Sequence, residues 1–193
     1  METLWSDFIN SEWHDWRGSG RSEDRIGQEK WQNYFLNRWH LEAPVPADAE
    51  VIRTMREFRD RLHDMSERCA RGGGLSHAEL EELNAILDLG PVKRRATEEA
   101  GELRLGLVPV REDWRQVMAE VAAAFIRTLI DGEAGRIRVC DNPDCRWVFY
   151  DDTRNRAKKY CEDKTCGNLM KVRRFRAKKK LEKERGENPE SDK

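Results

Sequence analysis

Between Asp48 and Cys69 the apolar residues Ile52, Met55, Phe58, Leu62, Met65 and Cys69 recur at steps of 3, 3, 4, 3 and 4. That period puts them on one face of a helix. Asp48 suits its N-cap, and Gly72, Gly73 and Gly74 stop it. Ser76 and Glu79 form the S-x-x-E capping box of a second helix, with Leu80, Leu83, Ile86 and Leu87 inward. Gly90-Pro91 ends it. A third long helix is predicted from about Glu112 to Ile130, with Trp114, Val117, Met118, Val121, Phe125 and Leu129 inward. Trp31, Tyr34, Phe35 and Trp39 give helical spacing to Ile26–Leu41. Near the start, Leu4, Phe8 and Ile9 fit a short helix or turn, followed by the GSGRSED loop.

The period shortens to two where Leu103, Leu105 and Leu107 alternate with Arg104 and Gly106. This predicts a strand, paired as a hairpin with Val92–Thr97 across EEAGE. Asp131 to Gly135 reads as a linker. Beyond it, Trp147 to Tyr150 suggests a short strand and Asp151 to Thr153 a turn. A final helix is expected from Leu169, capped by Asn168, with no Gly or Pro before Gly186. Leu169, Val172 and Phe175 form its apolar side.

Charge divides the chain at the same linker. The whole carries −1, but residues 1–135 carry −8, residues 136–185 carry +9 and residues 186–193 carry −2. An acidic part joined to a basic part implies two tasks, with the basic part directed at a polyanion. The 193 residues are 38% hydrophobic and 38% charged, polar for a folded protein, yet 7 Trp, 6 Phe and 3 Tyr argue against disorder. No apolar run approaches the ~18 residues of a membrane span. METLWSDFIN has no basic-then-apolar leader, so membrane and secreted readings are set aside and the expected compartment is the cytoplasm.

Four of the five cysteines, Cys140, Cys145, Cys161 and Cys166, fall inside the basic part as two C-x4-C pairs separated by fifteen residues. Two thiol pairs at knuckle spacing suit one tetrahedral zinc ion. Two disulfides and an iron–sulfur cluster are the competing uses; the first needs an oxidising compartment. Four thiolates close the coordination sphere, so such a Zn2+ is structural and activates no water. The zinc tetrathiolate, at about −2, offsets only part of the module's positive charge. Cys69 lies on the apolar stripe and reads as a core residue.

The motifs C-x4-C-R-W-V-F-Y-D, R-N-R-x-x-x-Y-C and T-C-G-N-x-x-K-V-R-R-x-R together resemble the CGNR zinc finger. DFINSEWHDWRGSG is similar to the opening motif of the ABATE domain that precedes this finger in a family of stress-induced transcription regulators. The resemblance implies that Cys140, Cys145, Cys161 and Cys166 hold zinc and that the finger binds DNA. Leu169 stands where the family has Arg.

The expected architecture is therefore a mainly α domain with a small β-hairpin over 1–135, which senses a ligand or mediates association. A treble-clef or zinc-ribbon-like module over 136–185 ends in a basic helix, and a disordered tail covers 186–193. Candidate nucleic-acid contacts are Arg154, Arg156, Lys158, Lys159, Lys171, Arg173, Arg174 and Lys178. DNA is the expected partner, with a small-molecule effector and a homodimer as further partners. RNA is the alternative, in which Trp147, Phe149 and Tyr150 stack on bases. Asn10, Trp13, His14 and Asp15 are the candidate ligand pocket, or the site of an enzyme. No phosphate loop or nucleophile–base pair marks the chain as an enzyme, and a zinc adaptor for proteins is a further alternative.

Overall fold

The computed structural model describes residues 3–186. Six α-helices and three two-stranded antiparallel sheets follow in order among them. They are α1 (Leu4–Ile9), β1 (Glu12–His14), β2 (Ser22–Asp24), α2 (Glu29–Trp39), α3 (Ala49–Ala70) and α4 (His77–Leu89). Then come β3 (Val92–Glu99), β4 (Glu102–Pro109), α5 (Trp114–Ile130), β5 (Ile137–Val139), β6 (Val148–Tyr150) and α6 (Asn168–Gly186). The tail expected over 186–193 lies outside the described residues, except Gly186, which closes α6.

The helix signals act where the sequence places them. Asp48 Oδ1 accepts from Val51 N at the start of α3 (2.9 Å), and Ser76 and Glu79 close the capping box of α4. Asp113 caps α5 through Arg115 N and Gln116 N. The first helix has a capping box of its own, Thr3 with Ser6, which lets six residues hold a helix.

α3 runs through the middle of the molecule with Met55, Phe58, Leu62, Met65 and Cys69 buried; Ile52 is half-buried. α1 adds Trp5, Phe8 and Ile9, α2 adds Trp31 and Phe35, and α5 adds Trp114, Val117, Met118, Val121 and Phe125. Aromatic rings dominate one end, where Phe8 meets Trp31, Phe35 and Phe58 at centroid distances of 6.4, 5.9 and 5.7 Å. Burial pushes the Cys69 thiol up, as an inert core thiol requires.

Three expectations change. α4 buries Leu83 but leaves Leu80 exposed and Ile86 and Leu87 half-covered, because only a narrow line of it meets the rest of the core. β1 and β2, pairing Trp13 with Glu23 across the glycine-rich loop, have no period long enough to read. The segment 131–135 is not a free linker. Ala134–Arg136 form a 3-10 turn, and Glu133 accepts the Tyr150 hydroxyl (2.7 Å) and pairs with Arg136. Ile137 and Val148 then enter the main core fully buried.

The hairpin of β3 and β4 forms with Val92 opposite Pro109 and Glu99 opposite Glu102. Ala100 and Gly101, both at positive φ (53° and 84°), make its two-residue turn. No helix among the described residues is long and apolar enough to cross a membrane.

Candidate metal centre and nucleic-acid surface

β5 and β6 pair over three residues, Ile137 with Tyr150, Arg138 with Phe149 and Val139 with Val148. The eight residues between them carry Cys140 and Cys145 on a turn at Asn142-Pro143. Cys145 N donates to Asn142 O (3.0 Å) and Cys140 N to Trp147 O (2.9 Å), which sets both sulfurs on one side. Cys161 and Cys166 come from a π-helical turn, Asp163–Gly167, and the residues just before it. That turn runs directly into α6. Asn168 is therefore a helical residue (φ −63°, ψ −44°) rather than the cap, and its Nδ2 donates to Lys164 O (3.3 Å). The knuckle in a hairpin, the second ligand pair at a helix start and the helix itself give the treble-clef-like module expected.

The four Sγ atoms lie within 4.8 Å of one another. Cys145 and Cys161 are 3.7 Å apart, and Cys161 and Cys166 are 3.8 Å apart. Zinc–sulfur bonds of ~2.3 Å in a tetrahedron require sulfurs ~3.8 Å apart, whereas a disulfide requires ~2.05 Å. The cage fits one ion and excludes the disulfide reading. Cys140, Cys145 and Cys166 are buried, and Cys161 is half-exposed. Sulfurs this close cannot all ionise unaided. Hydrogen bonds from the Cys145 and Cys161 thiols pull the Cys140 thiol far down, and proximity to Cys140 pushes the other two up. A divalent cation at the centre removes that conflict, so the cluster is a structural Zn2+ site.

The cage is supported by residues the sequence reading missed. Asn142, fully buried, donates Nδ2 to Cys166 Sγ (3.4 Å) and to Trp16 O (2.8 Å). Asp141 N donates to Lys159 O (2.8 Å), joining the two knuckles. Asp151, also buried, accepts from Thr153 N (3.0 Å) and Lys158 N (2.9 Å) and fixes the loop returning to Cys161. Burial alone would raise its carboxyl, but the Thr153 hydroxyl, followed by these two backbone donors, holds it below the usual range. An amide between two cysteines and a carboxylate after an aromatic strand were the available signals.

Arg173 does not lie on the free basic face. Its guanidinium donates to Asp144 Oδ2 (2.7 Å) and Arg17 O (3.0 Å), clamping α6 to the knuckle and to the N-terminal loop. Gly18, at φ 90°, allows this approach; a Cβ there would stand 2.9 Å from Arg173 Nη2 and from Asp144 Oδ2. With the helix held by Arg173, Val172 and Phe175 are exposed instead of packing on the knuckle, and Leu169 is half-buried in the first turn. Lys171, Arg174 and Lys178 are exposed on α6. Arg174 Nε donates to Met170 O (3.3 Å) on its own helix, and Lys178 sits 3.7 Å from Glu182. Arg154 and Lys159 are exposed on the return loop, Lys158 covers the Phe149 ring at 5.4 Å, and Arg156 faces Glu133 at 3.8 Å.

The residues Asn10, Trp13, His14 and Asp15 do not converge on one pocket. Asn10 spans the backbone of Val148, donating to its O (2.8 Å) and accepting from its N (3.0 Å). Asp15 is buried under its own loop, where the Ser19 hydroxyl and then Arg17 N hold its carboxyl below the usual range. Trp13 and His14 line a cleft of about 160 Å³ beside Trp16, Trp147 and Cys161. Asn10 borders a different cavity of about 450 Å³, with Glu23, Arg25, Gln28 and Trp31.

Two family models match the chain. The one described as "putative stress-induced transcription regulator" (ABATE) covers residues 2–132, and the CGNR zinc finger covers residues 136–179. No curated protein matches it. With most of its length under the first model and all four zinc ligands under the second, the chain belongs to the ABATE family and carries a C-terminal CGNR zinc finger.

Proposed function

We propose that this protein is a zinc-dependent, cytoplasmic, DNA-binding transcriptional regulator and not an enzyme. Residues 136–185 grip nucleic acid; residues 1–135 sense a small-molecule effector or mediate association into a homodimer. The observation that carries the reading is the exposure of Lys171, Arg174 and Lys178 on a helix whose root is fixed by the zinc cage and by Arg173. A helix pinned at one end and cationic along its free length presents charge to phosphate without an ordering cost at binding. Arg154 and Lys159 extend that surface along the loop, and Arg173 and Arg156 act instead in holding it.

Duplex DNA is favoured over RNA by the fate of the aromatics. Phe149 is buried beneath Lys158; Tyr150 is half-buried, with its hydroxyl bound to Glu133 and Arg136 over its ring at 5.9 Å; Trp147 is half-buried. Base stacking needs free ring faces.

The test is duplex affinity across a salt series for the zinc-loaded wild type and the Lys171→Ala/Arg174→Ala/Lys178→Ala variant. Each lost phosphate contact lowers the salt slope by about 0.9, so the variant's slope falls by up to about 2.7. Unchanged affinity and slope would remove this surface.

A further inference from the structure

The β3–β4 hairpin stands away from the core with an apolar face uncovered. Leu103, Leu105 and Leu107 are 83, 73 and 59% exposed. The register places Glu98 beside Leu103, Ala96 beside Leu105 and Arg94 beside Leu107. Alternation puts these six residues on one face. The opposite face is mainly polar, with Lys93, Arg95, Thr97, Glu102 and Arg104, and its one apolar side chain, Val108, is half-buried near the root. A two-stranded hairpin with a bare leucine row is marginal in water and a template for association. Something covers it.

Its charges identify what. Along the leucine face the acid, Glu98, lies toward the turn and the base, Arg94, toward the root, with Ala96 midway. Lay a second copy on this face with a two-fold axis crossing the strands at Ala96 and Leu105. Turn then lies over root. Leu105 meets its own copy, Leu103 meets Leu107, and Glu98 meets Arg94 on both sides of the axis. The parallel alternative sets like ends together and forfeits both ion pairs. Self-complementarity under a two-fold is what an isologous dimer contact requires.

We propose that this face is the docking surface for a second copy of the same chain, packed antiparallel through Leu103, Leu105 and Leu107 with reciprocal Glu98–Arg94 pairs. The face is two strands wide and eight residues long, about 10 by 26 Å. That is small for a stable dimer, so the pairing is reversible in the micromolar range. It names the contact for the association reading above but does not depend on DNA binding, and its test uses no nucleic acid.

The experiment is sedimentation velocity of the full, zinc-loaded chain from low to high micromolar concentration. Wild type moves from 22.7 kDa toward twice that mass. Leu105→Arg weakens association by about tenfold or more while its melting temperature and circular dichroism stay at wild-type values, since the side chain touches no core. Arg94→Glu and Glu98→Arg each weaken it several-fold, and the double swap restores it. A chain that stays at 22.7 kDa throughout, or a dimer indifferent to Leu105→Arg, overturns the surface. Single swaps that weaken the dimer without rescue by the double swap overturn the antiparallel arrangement.

Discussion

β3 and β4 pair eight residues against eight and leave Leu103, Leu105 and Leu107 in solvent, whereas β5 and β6 pair three against three and bury Ile137 and Val148 completely. Strand length therefore says little about how firmly a hairpin is held. β5–β6 is fastened at both ends: its loop carries two zinc ligands, and its open end enters the helical core and meets Glu133. β3–β4 is fastened only at its root. The short hairpin transmits the position of the zinc cage into the helical domain, and the long one is free to meet another molecule.

The largest way to break this difference is to remove the metal. Structural zinc contributes an apparent ~10–16 kcal/mol in small modules at neutral pH. Chelation of the reduced protein, or Cys166→Ser, should unfold the return loop and detach α6. It should also lower the melting temperature of the helical domain, because Ile137 and Val148 belong to that domain's core. The β3–β4 hairpin should keep its amide protection. Circular dichroism and hydrogen exchange check this; identical traces with and without metal would contradict the structural role.

Next in size is the contrast between two aliphatic truncations. Ile137→Ala opens a cavity in a filled core and should cost about 3 kcal/mol. Leu105→Ala, in monomeric protein at low concentration, should cost less than about 0.5 kcal/mol. Denaturant midpoints measure both. Equal losses would mean that the long hairpin is packed after all.

A smaller effect is expected at the hinge of the cage. Asn142→Ala removes the donor to Cys166 Sγ and the tie to Trp16 O. Outer partners of this kind are worth ~10–100-fold in metal affinity. Competition with a chromophoric chelator should show a loss of about tenfold. Unchanged affinity would confine Asn142 to a packing role.

The long helices and the cage were legible because each rests on local signals. Heptad-like spacing marks α3 and α5, Ser76 and Glu79 mark α4, and cysteine spacing marks the metal. Alternation revealed β4, but alternation reports only that one face is apolar, and it cannot say that no core lies opposite. The tertiary clamps were not legible. Arg173 looked like one more cation on a basic helix; only the fold brings Asp144, Arg17 O and Gly18 to it. Asn10 looked like a pocket residue, and only the placement of β6 shows its amide standing in for a neighbouring strand. The junction at Glu133 was hidden for the same reason, since Asp-Gly-Glu-Ala-Gly has the composition of a linker.

That junction yields the smallest expected effect and the finest test of the anchored hairpin. Glu133 accepts the Tyr150 hydroxyl from β6, and this bond, followed by the charges of Arg136 and Arg156, holds its carboxyl below its ordinary value of 4.5. A carboxyl lowered in the folded state stabilises the fold above the unfolded value and loses that contribution as pH falls through the folded one. The melting gap between wild type and Glu133→Gln should therefore be widest near neutrality and close as pH drops from about 5 to about 3. Protonation of the zinc thiolates acts on both proteins and leaves the difference informative. A gap that stayed constant with pH would show that Glu133 holds β6 by shape and hydrogen bonding alone, with its charge contributing nothing.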